Sequence, residues 1–204
     1  MKLPAFFDQV PRLRLVDPLA DFLGAAEDGV LEYGYADAVR LAGHSCPTVA
    51  SAYWLSHRAL AELYPDSLPV RGQIRVSFRD SQDQGVTGVV AAVIGLLTGA
   101  AHDGGFKGLA GQFARNGLQR FAAEQPLSLR FTRSDTGASV DAMADLSHVP
   151  GDPAMGQLLS WCLSGQADAD ERRRFATLWQ ARVASILLNH ADDPEVFVIR
   201  PVSR

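Results

Sequence analysis

Between Pro47 and Tyr64, Val49, Ala52, Tyr53, Ser56, Leu60 and Leu63 recur at helical spacings and share one face. That pattern predicts a long helix, opened by Pro47 and ended by Pro65 and Pro69. The period changes at Gln73–Arg79. There Ile74, Val76 and Phe78 alternate with Gln73, Arg75, Ser77 and Arg79, as in a strand with one buried side. Residues 86–97 are apolar almost all round, which predicts a buried central helix. Gly88 and Gly95 lie on one side of it, where a neighbouring backbone can approach closely. A glycine-rich polar loop follows at 98–111. Two strands at 127–133 and 138–146 flank a turn at 134–137.

Shorter elements complete the chain. Asp17, Pro18 and Gly24 mark the cap, first residue and stop of a helix over 16–24, and a second short helix covers 34–42. Helices at 153–164 and 169–189 and a last strand at 195–200 close the sequence. The order is helix, strand, helix, then strands. It predicts an α+β fold, with helices covering a small mixed sheet and a helical C-terminal segment. We expect one domain over 1–204, with a core at about 33–200 and an N-terminal extension at 1–32.

Composition narrows the functional classes. Apolar residues make up 47% and charged residues 21%, enough to bury a core without disulfides or metal. The net charge is −4, and the densest basic cluster, Arg172-Arg173-Arg174, follows Asp168, Asp170 and Glu171. Nucleic acid is therefore not an expected partner, because phosphate binding needs clustered cations. The longest apolar stretch, Val86 to Leu97, has about 12 residues where a membrane span needs about 20, so no membrane association is expected. Two cysteines, Cys46 and Cys162, are too few for a secreted disulfide framework, and the N-terminus has no signal-like apolar run. A cytoplasmic protein with reduced thiols is the expectation.

The chemistry concentrates in Gly43-His44-Ser45-Cys46-Pro47. With Pro47 as the first helical residue, Cys46 takes the cap position, its sulfur beside the unpaired N–H groups of the first turn. His44 lies in the irregular segment after Gly43, where it and Cys46 can converge. Sulfur and imidazole together suit zinc or another divalent transition metal. Two ligands do not make a site. His102, with Asp103 to orient it, is the best candidate for a third, and Lys107 among Gly104, Gly105 and Gly108 is placed to meet an anionic cofactor or ligand. The loop lacks the spacing of a phosphate-binding P-loop. Asp80, Asp83 and Gln84 either line a cleft at the end of the strand or cap the following helix. His57 lies too far along its helix to share a metal with Cys46. Cys162 reads as buried core, and His148 and His190 as structural.

Asp37-Ala38-Val39, Ala42 and the run Gly43-His44-Ser45-Cys46-Pro47 resemble the opening signature of the FmdE-like family, whose namesake is a component of formylmethanofuran dehydrogenase. The likeness continues through the helix, the 73–79 strand, the apolar helix ending in Thr98-Gly99 and the closing Glu195-Val196-Phe197-Val198-Ile199. It implies a core of helix, strand, helix and three further strands, frequent homodimers, and a metal, usually zinc, near the motif. Ala42 stands where the family has its first histidine, and Ala100 where it has a second cysteine. The C-terminal zinc finger of some members is missing, and nothing here matches a four-cysteine iron–sulfur site.

Three functions follow as expectations. The first is a metal-binding protein with His44, Cys46 and His102 as ligands and a small-molecule cleft nearby. The second is an enzyme with Cys46 as nucleophile and His44 as base. The third is a non-catalytic ligand-binding or accessory protein, serving molybdenum- or tungsten-dependent one-carbon metabolism.

Overall fold

The computed structural model describes residues 3–203. Its central element is α3, Pro47–Leu63, in which every side chain from Val49 to Ser56 is buried. The helices around it are α1 (Pro18–Phe22), α2 (Tyr35–Ala42), α4 (Thr87–Thr98), α5 (Met155–Leu163) and α6 (Ala169–Ala184). The strands are β1 (Leu13–Val16), β2 (Val30–Tyr33), β3 (Ile74–Phe78), β4 (Gln119–Arg120), β5 (Leu129–Arg133), β6 (Ser139–Ala144) and β7 (Phe197–Pro201). This is an α+β fold, as the order of periodicities predicts.

The main sheet runs β4-β3-β5-β6-β7. It is mixed, because β4 lies parallel to β3 while every other pair is antiparallel. Alternation sets its buried face: Ile74, Val76 and Phe78 stand opposite Arg133, Phe131 and Leu129, and α3 packs on β5, β6 and β7. Beyond α3 lies α4, which also touches α2.

Three expectations need correcting. The apolar 86–97 segment is not the buried central helix; α3 holds that place, buried without a break from Val49 to Ser56. Along this segment Val86, Val89 and Ala92 stand exposed at intervals of three, because only the other side of α4 meets α3 and α2. The N-terminal extension packs into the core rather than standing apart from it. β1 pairs with β2, Val16 bridges to Val70, and Phe7, Val10, Leu13 and Leu15 join the core. Lastly, Cys162 is half-buried, since α5 packs mainly on α6 and leaves Leu163 80% exposed.

Some local readings match the structure closely. Asp17 caps α1, accepting from the N–H groups of Leu19 at 2.9 Å and Ala20 at 3.4 Å. Close approach explains Gly95, where a Cβ would stand 2.9 Å from the Ala100 carbonyl oxygen. The C-terminal helix covers the expected range, with its last turn, Ser185–Asn189, wound as a π-helix. Among the described residues no helix is long and apolar enough to cross a membrane.

Candidate functional site

Gly43 ends α2 with φ 76° and donates its N–H to the Val39 carbonyl at 2.8 Å, a left-handed cap open to glycine without strain. The chain then extends through Cys46 (φ −149°, ψ 168°) into Pro47, the first residue of α3. Cys46 is the cap, as its position before Pro47 implies. Its Sγ accepts the Val49 N–H at 3.5 Å, and the side chain packs within the hydrophobic core. His44 is exposed, its Nδ1 2.9 Å from the Ala42 carbonyl oxygen.

Ser45, between them, is the residue the fold holds most firmly. The Tyr35 hydroxyl lies 2.9 Å from Ser45 Oγ, which donates onward to Gln180 Oε1 at 2.9 Å. Burial pushes the Tyr35 phenol well above its ordinary value of about 10, and keeps it a donor. Trp179 Nε1 and Gln180 Nε2 both donate to the Ser45 carbonyl, at 2.9 and 3.2 Å. The motif loop is thus pinned between α2 and α6. A partner more than 130 residues away in sequence leaves no local signal.

A zinc centre at His44, Cys46 and His102 does not fit these surroundings. The sulfur is packed in the core and the imidazole lies in solvent. His102 stands after α4, half-exposed, edge-on to Phe121 at 5.3 Å, with Nδ1 3.8 Å from the Asp103 carboxylate. Among the described residues no three His, Cys, Asp or Glu side chains are grouped to hold a metal ion. A catalytic zinc needs about three. The same separation leaves Cys46 and His44 without the hydrogen bond that a nucleophile and its base require.

The glycine-rich loop divides likewise. Gly104, Gly105 and His102 border a shallow cavity of about 480 Å³ with Gln82, Gly95 and Gln119, and Lys107 is not among its lining residues. Packing accounts for Gly105: a Cβ there would collide with the Ala101 side chain and the Asn116 backbone.

A better-enclosed cleft lies elsewhere, between α3, the start of α4 and one end of the sheet, with a volume of about 240 Å³. Thr48, Ser51, Ala52 and Leu55 face it from α3, at spacings of three, four and seven. The paired residues Phe78 and Leu129 form its floor, where the end of β3 meets the start of β5. Asp80, Val86, Thr87, Val90, Ser128, Ala144 and Leu146 complete the wall. So Asp80 lines a cleft, as one of its two expected readings holds. The capping reading of Asp83 and Gln84 does not hold: the cap of α4 is Val86, with no side-chain hydrogen bond, and the Asp83 carboxylate accepts from Ser81.

The polar groups in this cleft are few. Ser51 donates back to the Pro47 carbonyl at 2.8 Å. The hydroxyls of Thr48, Thr87 and Ser128 have no hydrogen-bond partner among the described residues. The nearest cation to the Asp80 carboxylate is Arg79, at a loose 3.7 Å. Sequence reasoning missed Thr48 and Thr87. The signal for Thr48 was present, a polar residue in helical register with Ser51 and Leu55 on an otherwise apolar stretch.

In comparisons with known proteins, no family model and no curated sequence matches this chain.

Proposed function

We propose that this chain is a small-molecule-binding protein whose ligand sits in the cleft between α3, α4 and the β3–β5 end of the sheet. The reading rests on one observation: three unpartnered hydroxyls and one loosely paired carboxylate gather in an otherwise apolar, partly enclosed space. Ligand sites combine apolar walls with a few convergent polar groups in this way. At about 240 Å³ the cleft lies below the usual range of about 300–1,000 Å³ for drug-sized ligands, so the occupant is compact. Asp80 offers only acceptor oxygens at the rim and repels an anion. The favoured ligand carries an apolar body and a donor end, an amine or a hydroxyl.

Of the three expected functions, this is the ligand-binding one. Kinship with the FmdE-like family is part of the proposal, supported by the motif and by the element order from α2 to β7. The homodimer that such kinship implies is checked by light scattering.

Calorimetric titration of the full chain with benzylamine, benzyl alcohol and benzoate tests the binding. Saturable binding of the amine or alcohol, weaker or absent for benzoate, is expected. Asp80→Asn should narrow the preference for the amine, and Val90→Phe, which fills the cleft from a half-buried position, should weaken all binding about tenfold or more, equivalent to about 1.4 kcal/mol. Equal binding of all three compounds, or binding that ignores Val90→Phe, overturns the proposal.

A further inference from the structure

At the opposite end of α4 from that cleft, Asp17 meets two arginines. Its Oδ2 accepts from Arg71 Nη1 at 2.7 Å and its Oδ1 from Arg115 Nη2 at 2.5 Å. Arg71 also donates through Nε and Nη2 to the Leu96 carbonyl at the end of α4. All three guanidinium nitrogens of Arg71 thereby have an acceptor. On Arg115, Nε and Nη1 have none among the described residues, although only 8% of its side chain is exposed. Two guanidinium groups face one carboxylate, so this largely buried cluster carries one positive charge in excess. The neighbouring Arg133 and Asp135 pair with each other and do not offset it.

The idle nitrogens are not sealed in. Among the described residues the Tyr64 hydroxyl is the one fully enclosed side-chain polar atom without a partner, so Arg115 Nε and Nη1 are reached from outside. Arg115 borders a cavity of about 420 Å³ together with Arg71, Gln73, Ser134 and residues 111–114. Gln73 and Ser134 are exposed, and among the described residues their side chains make no hydrogen bond. Among the described residues the N–H groups of Gly111, Phe113 and Ala114 lack acceptors too. Gly72 keeps the guanidinium's place free, since a Cβ there would collide with it.

We propose that this cavity binds a compact oxyanion, a phosphate-type or carboxylate group, beside the unpaired nitrogens of Arg115. The anion balances the excess charge and takes up donors that the protein leaves unused. Arg115 supplies its unpaired N–H groups, and Gln73, Ser134 and the loop N–H groups supply the rest. Backbone N–H groups in successive turn conformations form such anion concavities, and Gly111 and Phe113 both have positive φ, 82° and 60°. The site is separate from the amine- or alcohol-binding cleft and does not depend on it.

The test is titration of the full chain with inorganic phosphate and, separately, acetate, against chloride at equal ionic strength, followed by amide NMR. Saturable shifts centred on residues 71–73, 111–115 and 134 are expected. A stronger response to phosphate names a phosphate-type group, and a stronger response to acetate a carboxylate. Arg115→Met should weaken binding about tenfold or more, as for loss of charged hydrogen bonds, and leave benzylamine binding unchanged. If that variant fails to fold, the rim pair Gln73→Ala with Ser134→Ala should weaken binding severalfold. Shifts no larger than those with chloride, shifts scattered over the surface, or a folded Arg115→Met with unchanged affinity overturns the proposal.

Discussion

Ser45, flanked by the two residues with the most evident chemistry, does the positioning. Its hydroxyl links Tyr35 of α2 to Gln180 of α6, and its carbonyl takes two further donors from α6. Ser45→Ala leaves the buried Tyr35 hydroxyl and the Gln180 carbonyl short of partners. Unmade hydrogen bonds of this kind cost about 1–3 kcal/mol, so a clear drop in the denaturation midpoint is expected. A variant as stable as the parent would show that α6 does not depend on this contact. The residue types in the motif were legible as chemistry, but their surroundings were not. Whether a cap sulfur faces solvent or core is decided by packing, in part against α6, which comes from a distant part of the chain.

The long elements were legible because their periods are long and clean. α3 and β3 follow from spacing alone, and all six face positions of α3 named from the pattern are buried. Shorter pieces were not legible. β1, β2 and the two-residue β4 carry too few residues for a period, and pairing with other strands defines them. The apolar 86–97 segment shows a different limit: uniform hydrophobicity identifies a helix but not which side another element covers. His57 on α3 stacks on Trp54 at 4.7 Å, and burial holds its imidazole below the ordinary value near 6.5, with Arg58 pushing the same way. A lowered folded-state value means the unfolded chain takes up the proton first. The contribution is therefore full above pH 6.5 and is lost as pH falls through the folded value. Thermal stability should decline from pH 7.5 towards 5.5, and His57→Gln should flatten that decline. An equally steep decline in the variant would assign it to other groups.

At the scale of the molecule, the fold places two differently charged recesses at the two ends of α4. One is apolar with a carboxylate at its rim, and the other carries surplus guanidinium. The class of fold could be read from the order of periodicities, whereas the cleft could not. It forms only where the first turns of α3 and α4 meet the end of β3 beside the start of β5. Asp80 was within reach because it directly follows a predicted strand end. The Asp17–Arg71–Arg115 cluster was not, because its members are 54 and 98 residues apart. The most direct test of the cleft's role is a crystal structure of the full chain grown with benzylamine. We expect the ring against Leu55, Phe78 and Leu129 and the ammonium within hydrogen-bond reach of Asp80. An empty cleft at saturating benzylamine, or a ligand seated on the 98–118 loop instead, would contradict it.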